Sequence, residues 1–425
     1  MSAETAADGV WAALRHRLDY ASFVPAPILG IERADLRRRD GAPYTILKNP
    51  RGASGAGTYL QLATEDVELF ELMDGRRTIQ QILVEYLQRR SHFALDRLAR
   101  LTAALAANGF FGEERPLVYE KLRRRRTLRD PLVRASLLLR RLIVWNIASW
   151  SNADGAVDVA YRYGGRLAFT RAGATALILF TIVGLAVWAR ELTSPRHELF
   201  SLNGSYVLGI LSLIVLQVLS VSVHEAGHAL AVRHYGRRVR KLGLAIYYLF
   251  PCLYVDSTDM ALASRRQRMV VSLAGPIGGM AVGAACALYA ASAPETIAGS
   301  IAFKAATLFV FQFVFNLLPI LDLDGYHVLV DALDAPLLRQ RALGFVRGSA
   351  MRKVRRRERW SASEAGLALY GVSAIVASLA TLALGLLIWQ QRVGVAASEL
   401  LAAGLAGAAI LALIVLIFLG PLVVA

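Results

Sequence analysis

Two histidines and a glutamate follow a long stretch of the chain that has no charged residue. The stretch is 199–223, and it runs directly into His224-Glu225-Ala-Gly-His228. Residues four apart share one face of a helix, so both imidazoles can reach a single metal ion. Glu225 then lies beside that ion, where its carboxylate can take a proton from a bound water. The spacing predicts a zinc site with an adjacent general base.

The apolar surroundings of this motif make the prediction more specific. The five-residue pattern alone arises by chance in soluble proteins, but a charged side chain at bilayer depth costs about 2.5–3.5 kcal/mol on insertion scales. Ionisable residues within a membrane are therefore usually functional. The alternative interpretation is that the motif is only the hydrated end of a helix, with its histidines reaching toward water.

A catalytic zinc needs a third protein ligand and an open position for water. Asp322 and Asp324 offer carboxylates at the end of another apolar stretch, shortly after Asn316-Leu-Leu-Pro319. Pro319 is expected to break the helix there, and Gly325 allows the chain to turn directly after a carboxylate. The segment therefore predicts the missing ligand, although both aspartates could also be ordinary residues of a helix end or loop.

Six apolar stretches are long enough to cross the hydrocarbon core, which needs about 17–25 residues. They are 172–189, 199–223 continuing into the histidine motif, 269–293, 301–321, 365–391 and 400–424. The chain is 56% hydrophobic, whereas soluble domains are about 45–50% apolar. The expected fold class is an all-α polytopic membrane protein with about six transmembrane helices. A small α+β winged-helix-like domain in the cytoplasm is expected to precede these helices.

The formal net charge of +16 is concentrated between the apolar stretches. Arg and Lys are most abundant after the second and fourth stretches, so the positive-inside rule places both termini in the cytoplasm. Both candidate ligand segments then lie toward the cytoplasmic side. A basic chain can also bind nucleic acid, but the charges here separate stretches that are too long for soluble elements, so no nucleic-acid partner is expected.

The first 170 residues are more polar than the rest and have three expected parts. Residues 1–29 are interpreted as an N-terminal extension, 30–115 as the winged-helix-like domain and 116–170 as a basic connector. The connector combines an Arg-rich cluster at 121–129 with an apolar segment at 137–145. This pattern favours an interfacial segment that lies against anionic lipid, and the alternative is a solvated basic linker.

The pattern within 30–115 predicts a hairpin followed by three helices. Alternating residues at 44–47 and 59–62 flank a Gly-rich turn. Apolar residues then recur at helical spacing in three segments, which are expected to begin at Thr64, Thr78 and near Ala94.

Several of these motifs resemble one known family. The HExxH motif at 224–228, together with Asn316-Leu-Leu-Pro319 and Leu323-Asp324-Gly325, is similar to the HExxH and NxxPxxxLDG patterns of the site-2 protease family of intramembrane metalloproteases. The segments 250–256, 264–268 and Ser272-Leu-Ala-Gly275-Pro276 look like its peptide zinc metalloprotease branch. Gly278 and Gly279 stand where that family often has Asn.

The resemblance implies a site and an activity. It implies that His224, His228 and Asp324, rather than Asp322, hold one zinc ion, with Glu225 as the catalytic base. It also implies supporting or substrate-binding roles for five further residues, which are Asn316, Pro319, Gly325, Gly275 and Pro276. The implied reaction is hydrolysis of peptide bonds in membrane-spanning or leader-bearing peptides.

Residues 30–115 resemble the small PqqD-like domains that recognise leader peptides of ribosomally made precursors. Tyr59-Leu-Gln-Leu, Glu71-Leu-Met-Asp-Gly75 and Thr78-Ile-Gln-Gln-Ile-Leu carry this likeness. It implies a maturation protease for such a peptide as one alternative. A proton-coupled transporter and an inactive metal-binding receptor are alternatives from other classes. A generic winged-helix domain with a structural or regulatory role is the other interpretation of 30–115.

The segment 242–256 is apolar, rich in aromatic and β-branched residues, and interrupted by Pro251. It is expected to be either a re-entrant hairpin that offers an edge to an extended substrate or a simple interfacial loop.

Overall fold

A computed structural model describes residues 20–50, 58–112 and 144–388, except Asn152, Pro195 and 248–249, with short pieces between 397 and 412. The chain divides into two units. The first comprises Met1–Asp130 with Ala261–Ser264, and the second comprises Pro131–Met260 with Arg265–Ala425.

The first unit contains a small antiparallel sheet followed by three helices. The strands, in spatial order, are β1 (Glu32–Arg37), β2 (Pro43–Asn49) and β3 (Thr58–Ala63). The helices are α1 (Thr64–Glu71), α2 (Ile79–Arg90) and α3 (Leu95–Ala107). The paired strands β2 and β3 and the three helices correspond to the predicted ones, and the predicted Gly-rich turn lies outside the described residues. β1 was not predicted, because its sequence ERADLR has too little apolar alternation to be recognised as a strand.

The helix starts in this unit follow from local hydrogen bonds. Thr78 caps α2, because its hydroxyl accepts the amide of Gln81 at 3.2 Å. The expected cap at Thr64 is wrong by one residue. Thr64 is the first helical residue after Ala63, and its hydroxyl donates to the carbonyl of Pro43 at 3.2 Å instead of capping the helix.

The core of the first unit begins earlier in the chain than the expected boundary at residue 30. The Tyr20 hydroxyl is 2.7 Å from the Thr102 hydroxyl, and Phe23 packs against the buried core. The amide of Ile28 donates to the carbonyl of Phe110 at 2.9 Å. Residues 20–29 are therefore part of the folded unit rather than of an extension, because Tyr20 and Phe23 pack against its hydrophobic core.

The second unit contains five helices that are long and apolar enough to cross a membrane among the described residues. They are α5 (Arg171–Leu192), α6 (Tyr206–His234), α7 (Arg265–Ser292), α8 (Ile297–Leu317) and α12 (Ala362–Ile388). The expected polytopic helical fold is confirmed, and the chain is a multi-pass membrane protein. Most of the sixth expected span, 400–424, lies outside the described residues.

Two helix ends differ from the predicted ones for local reasons. α6 begins at Tyr206 rather than at 199, because Asn203 and Gly204 adopt positive φ angles of 51° and 76° and form a turn. The Ser205 hydroxyl then accepts the amide of Leu208 at 3.3 Å and caps the helix. α8 ends at Leu317, because Pro319 holds Leu318 in an extended conformation.

Small residues bring the membrane helices into close contact. α7 packs against α5, α6 and α8. A Cβ on Gly184 would lie 2.1 Å from the Cβ of Ala284, and one on Gly283 would lie 2.6 Å from the Cβ of Phe309. Close backbone approach at small residues is the usual way in which helices associate in lipid. α7 is therefore the central helix of this unit.

Short helices connect α8 to α12. They are α9 (Asp324–Leu333), α10 (Leu338–Gly344), a π-helical turn at Phe345–Ala350, and α11 (Met351–Arg355). α10 and the π-helical turn pack against α12. α9 packs against α7.

A second antiparallel sheet in this unit was not included in the expected all-α class. Its strands, in spatial order, are β4 (Val144–Trp150), β5 (Leu242–Tyr247) and β6 (Phe250–Val255). β5 and β6 pair antiparallel, as a hairpin at 242–256 would require. β4 belongs to the connector that was expected to lie on the membrane surface. No strand was predicted there, and the backbone of β4 pairs antiparallel with that of β5.

The helix after β4 joins the connector to α6. This helix, α4, spans Ala153–Arg162. The Arg233 guanidinium on α6 donates to the Asp158 carboxylate at 2.7 Å, and the Tyr161 hydroxyl lies 2.9 Å from Nδ1 of His234. The end of α6 that follows the histidine motif is therefore held by α4.

Candidate metal centre and catalytic site

α6 presents the two histidines of the motif on one face. The Nε2 atoms of His224 and His228 are 3.0 Å apart, and the two rings are nearly perpendicular at 81°. His224 is only 5% exposed. Two imidazole nitrogens that converge in a buried place, one helical turn apart, match the arrangement of a metal-binding pair.

The first residue of α9 completes this group. Asp324 Oδ2 lies 3.0 Å from His224 Nε2, and Asp324 Oδ1 lies 3.4 Å from His228 Nε2. Asp322 is exposed. The structure therefore brings together His224, His228 and Asp324, the three residues proposed as ligands, and does not bring Asp322 to them.

The donor set fits a zinc ion. Tetrahedral ligands at about 2.0–2.2 Å from zinc are separated from one another by about 3.4 Å, which is close to the distances between these atoms. Within the described part of the chain, the buried Oδ2 of Asp324 and Nδ1 of His224 accept or donate no well-directed hydrogen bond. Buried polar atoms usually have hydrogen-bond partners. A buried carboxylate oxygen without such a partner is suited to bind a cation.

The negative charge of Asp324 also suits a metal ligand. Burial alone would raise the pKa of its carboxyl group, but the two facing imidazoles hold this pKa below its ordinary value. Asp324 is therefore an anion at neutral pH and can ligate without first losing a proton.

α7 determines the orientation of His228. The His228 Nδ1–H donates to the carbonyl of Val271 at 2.8 Å, which leaves the lone pair of Nε2 free to face the other two ligands. A Cβ on Gly275 would lie 2.4 Å from His228 Nε2. Gly275 therefore makes room for the imidazole, and the buried Pro276 follows it within α7.

Glu225 lies beside the histidines and contacts the second sheet. Its Oε2 accepts the amide N–H of Val255 at 2.9 Å. Ligand atoms of His224, Glu225 and His228 all lie within 4.8 Å of one another. The contact of Val255 with Glu225 was not predicted, because any residue type except proline can supply a backbone amide. Only the proximity of 242–256 to the motif could have suggested it.

The comparisons with known proteins identify the domain that carries these residues. Residues 212–309 match the family described as Peptidase family M50. This segment of the chain is therefore similar to peptidase family M50. The matched segment includes His224, Glu225 and His228, and it ends before Asp324.

A curated relative supports the same family. It is named "Putative peptide zinc metalloprotease protein YydH" and comes from Bacillus subtilis (strain 168). The two chains are 27% identical over 119 residues, which are 28% of this chain and 46% of the relative. The chain thus spans about half the length of the relative that it matches. No solved structure matches the chain.

Asn316 and Pro319, two further expected site residues, make hydrogen bonds in the segment that leads to Asp324. The Asn316 side-chain amide donates to the carbonyl of Gln312 at 2.9 Å. The carbonyl of Pro319 accepts the Tyr370 hydroxyl of α12 at 3.0 Å. Tyr370 was not expected near the candidate site, because nothing in the sequence indicates that it meets Pro319, 51 residues away.

The expected role of Gly325 needs a correction. Gly325 was expected to let the chain turn after the carboxylate, but it is the second residue of α9 and has no positive φ. A Cβ at this position would lie 2.4 Å from the carbonyl oxygen of Leu317. Glycine is therefore needed there because α9 starts in close contact with the end of α8.

Proposed function

We propose that this protein is an intramembrane zinc metalloendopeptidase that hydrolyses peptide bonds in membrane-embedded or membrane-delivered substrates. One observation carries the proposal. Ligand atoms of His224 and His228, on a helix that is apolar enough to cross a membrane, converge with those of Asp324, on the short helix α9, beside the Glu225 carboxylate. The M50 match and the name of the relative support the same reaction class.

The residues of the site have complementary roles in this reaction. His224, His228 and Asp324 would hold one zinc ion, which when bound makes water more acidic and polarises the scissile carbonyl. Glu225 takes a proton from the attacking water at its carboxylate and later delivers it to the leaving amine nitrogen. The carbonyl of Val271 keeps the His228 proton on Nδ1 throughout.

The outer edge of β6, which ends where Val255 meets Glu225, suits an extended substrate. β6 pairs with β5 on one side, and no other described strand pairs with its second side. The amide of Val255 faces that second side, because the next amide, that of Asp256, donates back to Lys241 at 2.9 Å. A substrate segment that adds to this edge by backbone hydrogen bonds would run toward Glu225. A helical substrate would first have to unwind, because its amides are otherwise satisfied within the helix.

Maturation of a ribosomally made peptide is the second candidate for the substrate. It is favoured by the likeness of 30–115 to leader-binding domains and by β1, an edge strand whose residues are mostly exposed. An exposed edge can pair with a peptide segment. In this version the first unit binds the leader and delivers the attached peptide to the M50 domain.

An inactive receptor would need no base, and a proton-coupled transporter would need no third metal ligand facing the two histidines. Glu225 stands beside the histidines, as a hydrolytic site requires, and this favours an enzyme. The arginine distribution favours a bacterial-type cytoplasmic membrane with both termini in the cytoplasm. Anionic lipid is the partner proposed for the basic cluster at 121–129, which lies outside the described residues.

The decisive experiment compares wild type with Glu225→Gln in detergent with zinc, using a membrane-anchored reporter peptide. Glutamine keeps the size of the side chain and removes the basic oxygen. Loss of a general base costs about 10²–10⁴-fold in rate, so cleavage should fall to background while zinc content is retained. Equal product from both proteins would overturn the proposed mechanism. A wild type that cleaves neither a membrane-anchored nor a leader-bearing peptide would favour the transporter or the receptor.

A further inference from the structure

The helix that carries Asp324 is short, and its position determines where the carboxylate lies. α9 has ten residues, Asp324–Leu333. A segment of turns and bends, 319–323, precedes it, and two residues with positive φ, Asp334 at 54° and Leu337 at 56°, follow it. Neither flanking segment is regular, so contacts made by α9 itself must fix its position against the histidines.

One such contact is an ion pair with α7. Asp331 is seven residues, or two helical turns, after Asp324 and therefore lies on nearly the same face of α9. Its Oδ1 accepts both Nε and Nη2 of Arg268, at 2.9 and 2.6 Å. The side chains are only 22% and 14% exposed. A guanidinium that makes two hydrogen bonds to a carboxylate in a half-buried place constrains distance and direction more than an exposed pair does.

The same part of α7 also holds His228. Val271 accepts the His228 Nδ1–H at 2.8 Å, and Gly275 makes room for the ring. Arg268, Val271 and Gly275 are spaced at i, i+3 and i+7, so they lie along one face of α7. One rigid helix therefore contacts both parts of the ligand set, His228 directly and Asp324 through α9.

We propose that Arg268 is a positioning residue for the metal centre. Through Asp331 it fixes α9 against α7, and so sets the separation between the Asp324 carboxylate and the two imidazoles. Arg268 touches neither the metal nor the substrate in this role. The inference rests on the proposed function, because it takes Asp324 to be a zinc ligand.

The test measures zinc affinity rather than cleavage. Full-length protein in detergent is stripped of metal, and zinc is titrated back against a chelating competitor for wild type, Arg268→Gln and Asp331→Asn. Partners that orient metal ligands typically contribute about 10–100-fold to affinity, so both variants should weaken zinc binding by about that factor. The double variant should be no weaker than either single one. Arg266→Gln is the matched control, because Arg266 is exposed on the same turn of α7, and it should bind zinc as wild type does.

A purely structural role would give a different result. It would lower the melting temperature of the metal-free protein and leave the zinc dissociation constant unchanged, which would overturn the proposal. Arg268→Lys keeps the charge but cannot make both hydrogen bonds in a fixed plane. It should fold if Arg268→Gln does not, and it should show an intermediate zinc affinity, whereas wild-type affinity in Arg268→Lys and Asp331→Asn would also overturn the proposal.

The outcome for Asp324 separates this inference from the proposed function. If Asp324→Ala binds zinc as tightly as wild type, the ligand assignment fails, and the role of Arg268 fails with it. If Asp324→Ala loses zinc while Arg268→Gln and Asp331→Asn retain it, the ligand assignment stands and only the positioning role is wrong.

Discussion

The backbone N–H of Val255 donates a 2.9 Å hydrogen bond to Oε2 of Glu225. This bond joins the end of the edge strand β6 to the proposed general base. A substrate paired along β6 would therefore reach the base at a fixed register, because strand pairing advances in whole residues. The relationship gives the hairpin 242–255 two roles in the proposed enzyme, to bind extended substrate and to orient Glu225.

We expect Val255→Pro to impair cleavage and spare the sheet. Proline removes the N–H that Glu225 accepts, and this N–H points away from β5, so the strand pairing does not need it. A hydrogen bond to a charged group contributes about 1.5–3 kcal/mol, so the rate should fall about 10–100-fold in a reporter-cleavage assay. Val255→Ala keeps the amide and is the control. Equal rates for the two variants would show that the amide does not orient the base.

We expect the two aspartates to differ in metal binding. Asp324→Ala removes an oxygen that lies 3.0 Å from His224 Nε2, so zinc content should fall well below one ion per chain, as it should for His224→Ala and His228→Ala. Asp322→Ala is the matched control, because Asp322 is exposed two residues away. The measurement is metal analysis of purified protein. Full zinc retention in Asp324→Ala would remove this residue from the ligand set.

Alanine substitutions at two glycines of α7 should have different effects on zinc binding. A Cβ on Gly275 would lie 2.4 Å from His228 Nε2, whereas one on Gly278 would meet only the Cα of Gly227 at 3.6 Å. Gly275→Ala should therefore displace the imidazole and weaken zinc binding, and Gly278→Ala should leave the zinc dissociation constant unchanged. If both variants bind zinc normally, the ring has more freedom than the packing of α6 on α7 indicates.

The proposed topology predicts on which side of the membrane each connection between helices lies. Activity reporters fused near Arg237 and Arg355 should report the cytoplasm, and those near Ser194 and Glu295 should report the opposite side. The reason is that arginine-rich connections remain on the cytoplasmic side. A cytoplasmic signal at Ser194 would contradict the orientation and would place the metal centre near the other surface.

Those parts of the fold that depend on local patterns could be predicted from the sequence. Helix length and apolarity located α5 to α8, and the spacing of HExxH placed His224 and His228 on one face of α6. Asp324 was chosen over Asp322 from a resemblance to a family pattern, and the structure brings Asp324 to the histidines. These features depend on residues that are neighbours in the chain, where period and spacing carry the information.

Features that depend on distant residues were missed. β4 pairs with β5, about a hundred residues later, and nothing in its own short sequence indicates that partner. The Arg268–Asp331 ion pair and the Tyr370–Pro319 hydrogen bond also join separate elements. A single sequence gives no signal of such pairings, because each partner alone is an ordinary surface residue type.

Lys304 is a further residue whose partners lie far away in the sequence. Lysine is a residue type that is mostly exposed, but Lys304 is fully buried in α8. Its ammonium donates to the carbonyls of Glu198 and of Ser201, the latter at 2.7 Å. The lysine therefore attaches the connection between α5 and α6 to α8. A buried charge is retained at a desolvation cost that only such hydrogen bonds can offset.

We expect Lys304→Met to destabilise the protein and loosen this connection. Methionine has similar length, but it leaves the two carbonyls without their donor, and each buried group left without a partner costs about 1–3 kcal/mol. The gain from removing a desolvated charge offsets part of this cost, so we expect a net loss of about 1–3 kcal/mol in the free energy of unfolding, with faster proteolysis between residues 194 and 205. Arg196→Met is the matched control, because Arg196 is exposed in the same connection. If Lys304→Met is as stable and as resistant as Arg196→Met, the carbonyls find other partners, and the lysine does not hold the connection in place.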